Sequence, residues 1–146
     1  MAKVTIDTSL LVYAIDTADM SKHEAVQGLL DRLVEQDTVV CFQALAEFFH
    51  VVTRKGRLSI EEARERVADW QALFPVIAAG PKTLSHAIDG LQRHQMAFWD
   101  AVLWATAQEA GVTVLLTEDF QDQAVFEGVR FVNPFKQQDL SEFLAQ

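Results

Sequence analysis

Cysteine is almost missing from this chain. Its single thiol, Cys41 in "TVVCF", excludes an internal disulfide and suits a reducing cytoplasm. A lone cysteine in such an apolar stretch reads as a small buried hydrophobe. Glycine and proline are sparse as well, six and three in 146 residues, and no linker, repeat or low-complexity segment divides the chain. Residues 1–146 therefore read as one domain, long enough to bury a substantial core. No uninterrupted apolar run approaches the roughly 18–20 residues of a membrane helix. Asp7 breaks the apolar stretch after Lys3, so the N-terminus does not read as a signal peptide. Basic residues are also in deficit, 12 Lys and Arg against 21 Asp and Glu, for a net charge of −9. A protein holding nucleic acid mainly by electrostatics would be basic, so bulk charge argues against that mode. Charge is nonetheless uneven: Arg54, Lys55 and Arg57 cluster in "TRKGRL", with Arg64 and Arg66 close behind. That cluster is either a solvated helix end meeting the carbonyl dipole or a local contact for a phosphate backbone.

Several catalytic signatures are absent too. There is no Gly-x-Gly-x-x-Gly or Walker loop for a nucleotide, and no Gly-x-Ser-x-Gly elbow for a nucleophilic serine. His23, His50, His86 and His94 lack short ligand spacings, and one cysteine adds nothing to a zinc set.

What the chain does contain is strands alternating with helices. Residues 3–6 form a first strand, with Val4 and Ile6 alternating with Lys3 and Thr5, followed by a helical turn through "SLLVYA". "SKHEAVQGLLDRLVEQ" is an amphipathic helix with a Ser21–Glu24 capping box. "TVVCF" is a second strand, and a helix over 43–55 ends at Gly56. Ser59 and Glu62 form another capping box, opening a helix to about Phe74. "PVIA" is a third strand; Pro81 opens a helix to about Gln95, and a helix over 98–110 ends at Gly111. "VTVLL" and "VRFV" are later strands, with a short helix over 139–145. The expected fold is α/β, a three-layer α/β/α sandwich with a mostly parallel central sheet.

In such sheets, sites form beyond the carboxyl ends of the strands. Asp7 follows the first strand, and Glu118 and Asp119 follow "VTVLL". Glu47 stands at the edge of an apolar stripe of Leu45, Phe48, Phe49 and Val52, and Asp100 sits in "MAFWDAVLWATA". Each acid has an ordinary alternative: Asp7 or Asp100 as a helix cap, Asp119 as an Asx-turn residue, Glu47 as a solvent-facing side chain. Together they make a different case. Gathered carboxylates repel unless a cation neutralises them, and hard oxygen ligands select Mg²⁺ or Mn²⁺ over zinc. Such an ion lowers the pKa of a water and offsets charge building on a phosphodiester. The chemistry favoured is phosphodiester hydrolysis. An aspartyl-nucleophile phosphatase using Asp7 is a weaker alternative, because "IDTSL" lacks a second acid two residues on.

The stretches "IDTSLLVYAID", "QALAEFFHVVTRKG", "FWDAVLWATAQEAG" and "VLLTEDFQD", in this order and spacing, resemble the PIN-domain ribonucleases, specifically VapC-type toxins of toxin–antitoxin pairs. The resemblance spans essentially the whole chain. It implies an Mg²⁺- or Mn²⁺-dependent endoribonuclease leaving 5′-phosphate and 3′-hydroxyl ends, a homodimer, and inhibition by a small antitoxin. It places the family's acids on Asp7, Glu47, Asp100 and Asp119, with Thr117 as hydroxyl neighbour. Ser9 stands where the family often has Asn, and Glu118 and Asp122 crowd the fourth acid. Ser9 and Thr117 are expected to orient the acids, and Arg54, Lys55 and Arg57 to hold RNA. The implied toxin acts in the cytoplasm, with RNA and antitoxin as partners and no membrane. Reliance on the antitoxin for DNA contact accounts for the negative charge. Phe98 and Trp99 are expected to pack in the core, with base stacking as the alternative. A catalytically silent interaction module of the same fold is the rival reading.

Overall fold

The first strand, β1 (Lys3–Ile6), is buried on both faces: Val4, Thr5 and Ile6 are all inaccessible. Such strands occur where helices cover both sides of a parallel sheet. The structure, a computed structural model, describes residues 1–54 and 57–145. Two helices follow β1, α1 (Thr8–Tyr13) and α2 (Met20–Val34). The cap of α2 is Asp19, whose side chain accepts from the Lys22 N–H at 3.1 Å, so the helix starts earlier than a Ser21 cap requires.

"TVVCF" is not one strand. Asp37–Thr38 (β2) pairs parallel with β1, and the Val39 N–H still donates to the Val4 carbonyl. The chain then turns away, so that Val40–Cys41 (β3) pairs with β4 (Val76–Ile77) in a separate two-stranded sheet. Phe42 already belongs to the next helix, α3 (Phe42–Arg54). Cys41 is buried, with burial pushing its thiol up to about 11, which keeps it an uncharged core residue. The expected stop of α3 at Gly56 lies outside the described residues.

Ser59 caps α4 (Ile60–Leu73) in a full capping box with Glu62, as its spacing implies. Helix α5 (Thr83–His94) begins beyond Pro81, because Thr83 Oγ1 accepts from the Gly80 N–H and holds the preceding turn together. Helix α6 (Phe98–Glu109) packs closely on α5 and ends where Gly111 takes φ 81°. Then come β5 (Val114–Leu116), β6 (Val125–Phe126), β7 (Val129–Val132) and α7 (Ser141–Leu144). Strand β6 is an element that the sequence reading did not separate.

The main sheet runs β2-β1-β5-β7-β6, parallel except for the antiparallel edge pair β6–β7. With its helices this is the three-layer α/β/α arrangement expected. Strands β1 and β5 are central neighbours, pairing Ile6 with Leu116, so their carboxyl ends finish side by side. Among the described residues, no helix is long and apolar enough to cross a membrane.

Candidate active site

Where β1 ends, Asp7 caps α1: one carboxylate oxygen accepts from the Thr8 N–H at 2.6 Å. The other accepts from Thr117 Oγ1 at 2.8 Å, across the boundary between the β1 and β5 strand ends. Thr117 Oγ1 in turn accepts from the Asp119 N–H at 3.1 Å. A single hydroxyl therefore ties Asp7 to the turn that carries Asp119.

Asp7, Glu47, Asp100 and Asp119 all line one cleft of about 430 Å³, together with Thr8, Ser9, Val12, Tyr13, Asp16, Val51 and Arg57. Asp7 is buried, Asp100 half-buried, and Glu47 and Asp119 exposed. Glu47 is thus less enclosed than its flanking Phe48 implies: Leu45, Phe48 and Val52 turn inward, while Ala46 and Glu47 face out. Burial pushes the Asp7 carboxyl up to about 6 against the pull of the Thr117 and Thr8 hydrogen bonds, with Asp119 and Asp100 adding repulsion. Asp100 is raised by burial, then by Asp119 and Glu47. Asp119 is raised by burial and by Glu118, against the opposing field of Lys22. Asp7 and Asp100 therefore both feel the charge of acids carried on other segments of the chain.

The three acids of the "TEDFQD" stretch divide clearly. Glu118 turns away from the cleft, accepting from Tyr13 Oη at 2.6 Å and from Lys22 Nζ at 2.7 Å. Asp122 accepts from the Asn133 N–H at 2.8 Å and from Gln137 Nε2 at 2.6 Å, pinning the segment after β7. Asp119 alone of the three lines the cleft.

The supporting residues fare unevenly. Ser9 lines the cleft, but its Oγ is buried without a hydrogen-bond partner and touches none of the acids through such a bond. Arg57 also lines the cleft and pairs with Asp16 at 3.2 Å. Arg54 is exposed at the end of α3 and lies outside the cleft lining. Lys55 lies outside the described residues. Phe98 and Trp99 do not pack in the core: Trp99 is 64% exposed, its ring edge-on to Phe98 with centroids 4.9 Å apart. As the two residues before Asp100 at the start of α6, they stay at the surface while Ala101, Leu103 and Trp104 turn inward.

Thr8, Gln43 and Asp16 were not singled out from the sequence. Thr8 Oγ1 donates to Glu47 Oε2 at 3.1 Å, and Gln43 Nε2 donates to Glu47 Oε1 at 2.9 Å. The i, i+4 spacing of Gln43 and Glu47 is the sequence signal that marks that pair.

The donor set suits a hard divalent cation: carboxylate oxygens converge on one cleft and raise one another's affinity for positive charge, while the Ser9 hydroxyl lacks a partner. Among the described residues, no three His, Cys, Asp or Glu side chains stand close enough to hold one ion between them. Mg²⁺ does not require that, since it keeps several waters and binds through one or two carboxylates.

A family model described as a PIN domain matches residues 4–127. No curated protein matches the chain. Among solved structures, a toxin–antitoxin complex from Klebsiella pneumoniae aligns at TM-score 0.67 and 19% identity, over 90% of this chain and 98% of that one. DNA-bound VapBC from Salmonella typhimurium aligns at TM-score 0.66 and 17% identity, over 90% and 97%. A VapC toxin of Mycobacterium tuberculosis, described as cleaving the sarcin–ricin loop, aligns at TM-score 0.64 and 18% identity, over 77% and 87%. At these identities the likeness is one of fold.

Proposed function

The chain belongs to the PIN-domain family, and from that membership we propose that it is a Mg²⁺- or Mn²⁺-dependent endoribonuclease, the toxin of a toxin–antitoxin pair. The observation that carries this reading is the convergence of Asp7, Glu47, Asp100 and Asp119 on one cleft at the carboxyl ends of β1 and β5. Asp7, Glu47 and Asp100 would hold the ion, directly or through its waters, with Asp119 completing the site or serving a second one. When bound, the ion supplies an activated water and offsets negative charge on the phosphodiester.

The protein's own part is to place the groups around the cleft. The Thr117 hydroxyl and the Thr8 N–H hold both Asp7 oxygens, so the buried carboxylate presents a fixed edge to the cleft. Arg57 stands at the same cleft as the natural contact for a phosphate oxygen, its guanidinium oriented by Asp16. Trp99, exposed beside Asp100, offers a face on which a base stacks.

The partners follow from the same reading: RNA as substrate, a cognate antitoxin as inhibitor, a second copy of the chain as dimer partner, and the cytoplasm as the place of action. The neighbouring complexes from Klebsiella and Salmonella support the antitoxin, since those proteins are a toxin–antitoxin complex and a DNA-bound VapBC. The rival is a catalytically silent module of the same fold. Incubating the purified chain with RNA and Mn²⁺ separates the two. Cleavage to 5′-phosphate ends that vanishes in Asp7→Asn supports the nuclease; 2′,3′-cyclic phosphate ends would contradict the scheme, and intact RNA would favour the module.

A further inference from the structure

Glu47 is exposed where Asp100, the other acid of the cleft carried within a helix, is half-buried, yet each Glu47 oxygen is held by a different part of the chain. We propose that Gln43 and Thr8 are positioning residues that set Glu47 against its two neighbouring acids; this rests on the nuclease reading above.

The first tie runs through Gln43, one helical turn before Glu47 and on the same face of α3. Its Nε2 donates to Glu47 Oε1 at 2.9 Å and to the Trp99 carbonyl at 3.0 Å. An amide nitrogen carries two hydrogens, one for each acceptor. Trp99 immediately precedes Asp100. The amide thus spans α3 and α6 and fixes Glu47 relative to the backbone that carries Asp100.

The orientation of that amide is set by its partners. Flipping it would aim Oε1 at a carboxylate and a carbonyl oxygen, placing acceptor against acceptor. In the orientation found, Oε1 is buried with no partner. Leaving a buried acceptor unpaired is unfavourable. A half-exposed glutamine with no role could instead swing its amide into water. Gln43 stays lodged between Glu47 and Trp99.

The second tie runs through Thr8, which immediately follows Asp7. Its hydroxyl proton has two acceptors, Glu47 Oε2 at 3.1 Å and the Ala44 carbonyl at 3.4 Å, and the carboxylate is the nearer. Thr8 is buried, and a β-branched side chain holds its rotamer firmly. One oxygen of Glu47 is therefore tied to the neighbour of Asp7 and the other to the neighbour of Asp100. The clamp restricts a long carboxylate on an exposed helix edge to the side of the cleft that Asp7 and Asp100 also line.

Outer contacts of this kind typically change metal affinity or activity by about 10–100-fold when removed. The test is calorimetric titration of the full chain with Mn²⁺, combined with kcat and KM for RNA cleavage. Gln43→Ala and Thr8→Val are compared with wild type, with Thr8→Ser as the conservative restoration and Gln92→Ala as an exposed control on α5. Gln43→Ala and Thr8→Val are expected to bind Mn²⁺ about tenfold more weakly or worse. Their kcat should fall with little change in KM for RNA, while Thr8→Ser and Gln92→Ala stay near wild type. Their melting midpoints without metal should also stay near wild type, which separates positioning from a merely structural role. Gln43 is only half-buried, so its alanine variant carries the test even where Thr8→Val folds poorly. A wild type that binds Mn²⁺ beside a Gln43→Ala that binds it equally well, with unchanged kcat, overturns the clamp alone. A wild type that binds no Mn²⁺ removes the nuclease reading and the clamp with it.

Discussion

Thr117 Oγ1 donates to Asp7 Oδ2 at 2.8 Å, joining the ends of two adjacent parallel strands through a buried carboxylate. Because the same oxygen accepts from the Asp119 N–H, this contact fixes both an acid and the turn bearing the next acid. Thr117→Val keeps the shape and removes the donor and acceptor. It leaves a buried carboxylate oxygen unpaired, at a cost of about 1–3 kcal/mol. Urea denaturation at pH 7 should show that loss, and RNA cleavage should fall further than stability alone explains.

The raised carboxyl of Asp7 sets the sign of one pH effect. Native Asp7 titrates near 6 against an ordinary value of 3.8, so between those values the folded chain holds a proton that the unfolded chain has released. Stability therefore falls as pH rises from about 4 to about 6, by up to about 3 kcal/mol, and this contribution is constant above that window. Asp100 and Asp119 are raised as well and act in the same direction. Asp7→Asn should be at least as stable as wild type at pH 7 without metal, and the difference should close near pH 4. Melting curves across that range check it.

Arg57 and Asp16 form a partly exposed pair, worth no more than about 1 kcal/mol. Arg57→Ala should therefore leave the melting midpoint nearly unchanged. If the guanidinium holds a phosphate of the substrate, KM for RNA should rise several-fold at low salt, and the gap from wild type should narrow as salt rises and screens that contact. A KM equal to that of wild type at all salt concentrations would remove Arg57 from substrate binding.

Away from the cleft, Gly90 lets α5 and α6 approach: a Cβ placed there would lie 2.5 Å from the Trp104 ring. Trp104 is buried and anchored by its indole N–H to the Phe126 carbonyl at 3.1 Å, so it cannot swing aside easily. Gly90→Ala should destabilise the chain by about 1–3 kcal/mol in chemical denaturation through overpacking. Mn²⁺ affinity of the folded fraction should be unaffected.

Local signals in the sequence were read correctly where neighbours in the chain decide the structure. The Ser59–Glu62 box needs only residues three apart, and β1 announces itself by its apolar, β-branched composition. Choices made between distant partners were not legible. Nothing local tells "TVVCF" to give its first half to β1 and its second to β4. Ser21 and Asp19 are both acceptable caps, and only the fold selects Asp19. The same divide runs through the site. Four acids could be picked out because carboxylates amid apolar residues are conspicuous. The resemblance singles out Asp119 among the crowded acids, but only the fold shows why: Lys22 and Tyr13 claim Glu118, and Asn133 and Gln137 claim Asp122. Gln43 is marked only by its i, i+4 spacing from Glu47, and Thr8 carries no mark at all, since its importance lies in what it touches.

The central claim is that the cleft lined by Asp7, Glu47 and Asp100 takes up a divalent ion, held by these acids directly or through the ion's waters, and thermal melting with and without Mn²⁺ tests it most directly. Contaminating nuclease cannot imitate the result. A shared site predicts that Mn²⁺ raises the wild-type midpoint, since it binds only the folded chain. Asp7→Asn, Glu47→Gln and Asp100→Asn should each blunt that rise, while melting no lower than wild type without metal, because repulsion is relieved. A wild-type midpoint indifferent to Mn²⁺, with the three variants behaving independently, would contradict the account and leave the fold as an interaction module.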